Sequence, residues 1–261
     1  MREAIKQLPG ATRLYTEIQK RITSPDWYFG YQRWASARRI AQLKNKHRGE
    51  RCFIIGNGPS LNKLDLTKLK NEYTIGMNRI YLMFPKLGFH TTYFACVNPL
   101  VVEQFGTDIE KLPMPKFIGW HGRKWMQFTS DTILLAPTTR QPLFSEAPTH
   151  VLWEGATVTY AAMQVAYYLG FQEVVLIGVD HNFVDQGKPH QEVVTQTHDA
   201  NHFDPNYFGK GYRWNLPDLE TSEYAYRLAK DHYERSGRRI IDATAGGKLQ
   251  VFPKVDYDTL F

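Results

Sequence analysis

Phe53-Ile54-Ile55-Gly56-Asn57-Gly58-Pro59-Ser60-Leu61 is an apolar run that ends in a glycine-bracketed polar turn. Such a junction presents backbone N–H groups at the carboxyl edge of a sheet. Gly56 and Gly58 let the backbone turn tightly and approach a ligand where a Cβ would obstruct. Pro59 suits the first turn of a helix, and the Ser60 hydroxyl suits free helix N–H groups or a phosphate. The stretch is neither G-x-G-x-x-G nor a Walker loop, which argues against the usual dinucleotide and triphosphate sites. It fits a nucleotide site of another kind, beside the plainer reading of an ordinary strand-to-helix turn.

Working outward, short apolar runs alternate with helical periodicity from Arg51 onward. The pattern predicts strands at Cys52–Gly56, Tyr73–Met77, Thr92–Val97, Lys116–Gly119, Thr132–Leu135, Glu173–Val179 and Arg239–Asp242. Ala156–Leu169 carries apolar residues at helical spacing, and Gly170 supplies a stop. Strands apolar on both faces, alternating with helices, predict an open, mostly parallel α/β sheet with helices on both faces. Residues 1–50 read as an N-terminal helical extension, with Tyr15, Trp27, Tyr28, Phe29, Tyr31 and Trp34 as its aromatics and Ser24-Pro25-Asp26 as a break. Residues 51–261 read as one catalytic domain. Within it, residues 181–221 are polar, rich in His, Asp, Asn and aromatics, and predict a functional lid.

The 261 residues are 43% apolar with a formal charge of +6. No apolar run approaches the ~20 residues that span a bilayer. Met1-Arg2-Glu3-Ala4-Ile5-Lys6 has no signal-peptide stretch, and Cys52 and Cys96 read as reduced thiols, so we expect a cytoplasmic protein. Much of the positive charge precedes residue 52, in Arg33, Arg38, Arg39, Lys44, Lys46, Arg48 and Arg51, against Glu3, Glu17, Asp26 and Glu50. This suits either a solvated basic helix or peripheral contact with the inner face of a membrane.

In such a sheet, ligands bind outside the carboxyl ends of the strands. Asn57, Asn78, Asn98, Asp180, Asp242 and Thr244 fall at such ends, and asparagine suits a base edge, a sugar or a phosphate. His181, His190, His198, Asp199, His202 and Asp204 invite a metal reading, but they lack a helix-based pair such as H-E-x-x-H. A histidine general base is the alternative, and His202 within Asn201-His202-Phe203-Asp204-Pro205 is our choice. Downstream, Asn206–Trp214 interleaves aromatics, glycines and cations: its rings suit stacking on sugars or bases, and Lys210 and Arg213 suit phosphate. No basic sheet surface or aromatic platform motif accompanies it, so nucleic acid is not an expected partner.

Gly56-Asn57-Gly58-Pro59-Ser60-Leu61 resembles the N-terminal motif of bacterial sialyltransferases of the Campylobacter lipooligosaccharide type. The resemblance continues through Asn78, Asn98-Pro99, Thr157-Val158-Thr159, Leu169-Gly170, Gly178-Val179-Asp180 and Asn201-His202. It implies a single Rossmann-like domain with a lid, a CMP-activated nonulosonic acid donor, a cell-surface glycan acceptor, an inverting transfer, and neither metal nor cofactor. Asn57, Ser60, Asn78 and Asn98 would hold the nucleotide, Thr157 and Thr159 would lie near the donor, and His202 would deprotonate the acceptor. Gly56, Gly58, Asp180, Lys210, Arg213 and Thr244 complete the expected binding set. That family carries tyrosines on the leaving phosphate soon after its G-[IV]-D strand. Here the stretch reads His181-Asn182-Phe183, so Tyr207 or Tyr212 serves, or the role is filled otherwise. We also expect a homo-oligomer.

Asp242-Ala243-Thr244-Ala245-Gly246-Gly247 is similar to the N-A-T-E-G-G stretch of a wider group, with Ala245 in place of the acid. That group holds archaeal 6-hydroxymethylpterin diphosphokinase and the flagellin-glycosylating motility accessory factors. Its diphosphokinase branch needs magnesium, for which Asn78 and Asn98 are weak ligands. Glycosyl transfer is therefore the expectation, with a magnesium-dependent pyrophosphokinase as one alternative. A non-catalytic nucleotide-sugar-binding protein of a polysaccharide locus is the other.

Overall fold

The computed structural model describes residues 30–138, 141–183 and 187–261. The helical reading of residues 1–29, including Tyr15, Trp27, Tyr28 and Phe29, lies outside them. Helix α1 (Tyr31–Ala41) is followed by strand β1 (Arg51–Ile55), β2 (Tyr73–Met77), the short helix α2 (Phe84–Leu87), β3 (Tyr93–Cys96) and helix α3 (Pro99–Glu110). Next come β4 (Lys116–Gly119), β5 (Thr132–Leu135), the short pair β6 (Pro137–Thr138) and β7 (Leu152–Trp153), and helix α4 (Val158–Leu169). The chain ends with β8 (Glu173–Ile177), β9 (Glu192–Val194), β10 (Arg213–Asn215), helix α5 (Leu219–Arg235) and β11 (Arg239–Asp242), then a final turn.

Seven strands form one sheet in the order β11-β8-β1-β2-β3-β4-β5. Every pairing is parallel, with Phe53 opposite Thr74 on one side and Val175 on the other. All seven predicted strands are present, within two residues at either end. Parallel pairing demands covered faces, and the two-residue period divides each strand between two cores. Phe53, Ile55, Phe94, Val175 and Ile177 join one core with Val102, Phe105 and Ile109 of α3. Cys52, Ile54, Ile75, Val174 and Leu176 join the other with Ala162 and Met163 of α4 and Ala225 and Ala229 of α5.

The helix starts are written locally. Asn98, Thr157 and Asp218 cap α3, α4 and α5 by accepting from the N–H of Leu100, Thr159 and Thr221. Gly170, at φ +97°, ends α4 in the left-handed conformation a side chain disfavours. The described part of the 181–221 stretch is more ordered than its weak periodicity suggests. It contains the antiparallel ribbon of β9 and β10, and Phe203, Tyr207, Phe208, Trp214 and Leu216 bury into the first core.

Helix α1 covers the open edge at β5. The buried Leu134 N–H donates to Ser36 Oγ at 3.0 Å, and Arg39 Nη1 donates to Thr132 O at 2.8 Å. These bonds occupy backbone groups that an unprotected edge offers to other chains. Ser36→Ala strands the Leu134 N–H and should lower stability by roughly 1–3 kcal/mol, read as a lower urea midpoint at constant slope. An unchanged midpoint would show that the edge does not depend on this bond.

Candidate functional site

A cleft of about 600 Å³ opens at the carboxyl edge of the sheet, among the turns after β1, β2, β3 and β8 and the starts of α4 and α5. Its floor is the turn after β1. Gly56 N–H donates to Ile177 O at 2.8 Å and Gly58 N–H to Gly178 O at 2.9 Å. Ser60 donates twice to Asp180, from its N–H to Oδ1 at 3.1 Å and from its hydroxyl to Oδ2 at 2.6 Å. A Cβ on Gly56 would lie 2.2 Å from the Gly178 carbonyl oxygen, and one on Gly58 1.9 Å from Asp180 Oδ2. The glycines therefore let two neighbouring strand ends touch. Behind them, Thr244 Oγ1 accepts from Val179 N–H, and the buried Asp242 accepts from Thr244 N–H and Lys254 Nζ.

Two acceptors above this floor have no partner. Asn57 Oδ1 and Asn78 Oδ1 are buried without a hydrogen bond, at the ends of adjacent strands, and both residues line the cleft. Buried polar atoms are ordinarily satisfied, so an unpaired pair in a cleft points to a donor-bearing ligand. Asn78 also sits at φ +51°, and Ala156, His181 and His190, likewise non-glycine residues at positive φ, line the same cleft. Backbone strain of this kind concentrates where function over-determines the conformation.

His202 lines the cleft, and its Nδ1 lies 2.7 Å from Asp199 Oδ2. Its ring stacks flat on Tyr207, with centroids 4.0 Å apart. Burial pushes the Asp199 carboxyl up. The His202 bond and charge and the N–H groups of Asn201 and Phe208 together outweigh that, holding it below the usual carboxylate range. An ionised Asp199 accepts a hydrogen bond from Nδ1–H, and that tautomer leaves Nε2 as the acceptor nitrogen. Such an arrangement is chemically able to accept a proton from a hydroxyl and to stabilise the resulting imidazolium.

Gly56, Asn57, Gly58, Asn78, Asn98, Thr157, Thr159, Asp180 and His202 come together in the cleft. Ser60 and Thr244 stand behind it, bonded to Asp180 and Val179. The oxygens of Asn98 and Thr157 are engaged as helix caps. Tyr207, Lys210, Tyr212 and Arg213 are not brought to the cleft lining. Tyr207 is fully buried, its hydroxyl accepting from Arg79 N–H at 3.1 Å, and burial raises its pKa far above the ordinary phenol value. Tyr212 packs on Phe105 at 4.8 Å, Lys210 is exposed, and Arg213 pairs with Glu103 at 2.8 Å and Glu192 at 3.4 Å. The β9–β10 ribbon turns this stretch onto α3.

The sequence offered His181 and His190 only as metal candidates; in the cleft His190 pairs with Asp218, a lining residue it did not offer, and His181 pairs with Glu223, each at 3.2 Å. Glu154, just before the cap of α4, has its carboxyl raised to about 7 by burial. Its only signal is the following Gly155-Ala156, both at φ +57°. Among the described residues, no group of three or more His, Cys, Asp or Glu is placed to hold a metal ion.

Comparison with known proteins gives a family match and a structural match. A family model described as 6-hydroxymethylpterin diphosphokinase MptE-like matches residues 31–186. The structure of the MAf glycosyltransferase from Magnetospirillum magneticum AMB-1 is similar in fold, with a TM-score of 0.50 and 15% identity. The alignment covers 98% of this chain and 43% of that one, so this chain spans less than half of the larger enzyme. No curated protein matches the sequence.

Gly58→Ala forces the two turns apart and should destabilise the fold by roughly 1–3 kcal/mol, and Ser60→Ala should remove roughly 1.5–3 kcal/mol with the hydroxyl bond. Denaturant midpoints within ~0.5 kcal/mol of wild type for both would refute the clamp. Glu154 titrates in the opposite sense to Asp199. Its folded value lies above that of an exposed glutamate, so its contribution is full below about 4.5 and is lost as pH rises through about 7. Glu154→Gln should therefore gain on wild type by roughly 1–3 kcal/mol between about pH 4.5 and about pH 8, in paired urea titrations. A pH-independent difference would contradict this.

Proposed function

We propose a glycosyltransferase function for this chain, which belongs to the 6-hydroxymethylpterin diphosphokinase MptE-like family. Its donor is a nucleotide-activated sugar, CMP-linked and carrying a nonulosonic acid as in the sialyltransferases it resembles, and its acceptor is a cell-surface glycan. The single observation that carries the reading is the pair of unpartnered acceptors on Asn57 and Asn78, in the same cleft as the Asp199–His202 pair. The name of the Magnetospirillum protein, a glycosyltransferase, agrees with it.

In this reading, Asn57 and Asn78 accept from N–H or O–H groups of the nucleotide. The start of α4, which lines the cleft, offers the positive end of its dipole to the phosphate, whereas the start of α5 is already occupied by the Asp218 carboxylate. His202 Nε2 removes the acceptor hydroxyl proton while that oxygen bonds to the anomeric carbon. The anomeric carbon–phosphate oxygen bond breaks with inversion, and the nucleoside monophosphate departs with the electron pair. Asp199 stabilises the imidazolium, and Tyr207, tied to Arg79, holds the ring flat. A single departing phosphate is a charge that backbone N–H groups can stabilise without a divalent ion.

The family description favours one second reading, a magnesium-dependent pyrophosphokinase. Against it, Asn78 and Asn98 stand at strand ends where carboxylates would be wanted, and both oxygens of Asp180 already accept from Ser60.

The test is turnover of a CMP-sugar panel in excess chelator. The proposal expects activity under chelation, and losses of about 10²–10⁴-fold in kcat for His202→Ala, with smaller effects on KM. Activity abolished by chelation and restored by magnesium would contradict the metal-free route. Full turnover by His202→Ala would remove the base.

A further inference from the structure

Helix α1 has two faces with different tasks. Ala35, Ser36 and Ile40 are buried against the β5 edge. On the opposite side, Tyr31, Trp34 and Arg38 follow i, i+3, i+7 spacing and form one stripe. Tyr31 is 76% exposed and Trp34 57%, among the few large hydrophobic side chains the described residues leave in water. Their rings lie 6.0 Å apart, and the Arg38 guanidinium sits 5.6 Å from the Trp34 ring. From Gly30 to Gly49 there is no Asp or Glu, against Arg33, Arg38, Arg39, Lys44, Lys46 and Arg48. Lys44, Lys46 and Arg48 are exposed and have no carboxylate partner among the described residues.

We infer that the outer face of α1, with the basic turn that follows it, docks on an anionic lipid bilayer. Tryptophan and tyrosine combine an apolar body with a polar tip, which suits the headgroup boundary. Arginine lays its stem on apolar surface and keeps its charge among headgroups. The exposed cations Arg38, Lys44, Lys46 and Arg48 attract phosphate-bearing lipid, an attraction that falls away within a Debye length, so the contact is surface-bound and salt-sensitive. Among the described residues no helix is long and apolar enough to cross a membrane, so this contact lies on the bilayer rather than through it. The inference is independent of the reaction proposed for the cleft.

Co-sedimentation of the full chain with vesicles of phosphatidylcholine alone, or mixed with phosphatidylglycerol, tests it. Binding is expected only with the anionic lipid and is expected to fall as salt rises. Trp34→Ser with Tyr31→Ser, and separately Arg38→Ala, should each weaken it, the latter by about fivefold, the share of one cation near the surface. These side chains are exposed, so thermal unfolding should be unchanged, which separates lost docking from lost folding. No binding to anionic vesicles, or binding that ignores lipid charge and both variants, would overturn the inference. A dimer in light scattering that Trp34→Ser dissolves would overturn it too, since a second copy would then be the occupant.

Discussion

The double donation from Ser60 to Asp180 is the contact on which the rest of the site depends. It ties the turn after β1 to the turn after β8, where the chain returns to the sheet about 120 residues later. With Gly56 and Gly58 admitting no Cβ between these turns, two strand ends become one floor. Each carboxylate oxygen of Asp180 takes one of these bonds, so an acid expected at a strand end to bind a ligand is here also the rivet of the cleft floor.

The neighbours of that rivet stay available. Asn57, one residue beyond Gly56, keeps its side-chain oxygen free while its carbonyl accepts from Phe203 N–H at 2.9 Å. Asn62 Nδ2 donates to Phe203 O at 2.7 Å, so the lid segment is stitched directly to the turn. Three residues later in the chain than Asp199, His202 stands on the Tyr207 ring, itself tied to the backbone at Arg79 beyond β2. The floor and the 199–208 stretch are thus one hydrogen-bonded unit, which gives His202 a fixed orientation.

The sheet was readable because parallel strands must be apolar on both faces, a local signal that survives in Cys52–Ile55 and Val174–Ile177 alike. Asn57, Asn78 and His202 were legible as polar residues beyond an apolar run or in a polar segment, and the structure brings all three to one cleft. Tyr207, Tyr212 and Arg213 were misleading because aromatic and cationic residues in a loop look the same whether they face a ligand or a helix. Only the β9–β10 ribbon decides that, by packing Tyr212 on Phe105 and pairing Arg213 with Glu103. Glu154 escaped notice because its burial comes from tertiary packing, which no spacing reports. The caps at Asn98 and Thr157 carry a further lesson, since a polar residue at a strand end can be consumed by the helix it starts.

The central claim is that Asn57 and Asn78 grip a nucleoside monophosphate with no divalent ion. A calorimetric titration of CMP into the full chain in chelator, repeated with Asn78→Ala, addresses it directly. The account predicts binding by wild type and affinity weaker by about tenfold in the variant, the loss of a buried hydrogen bond. Absence of CMP binding alongside tight, magnesium-dependent binding of ATP would contradict it.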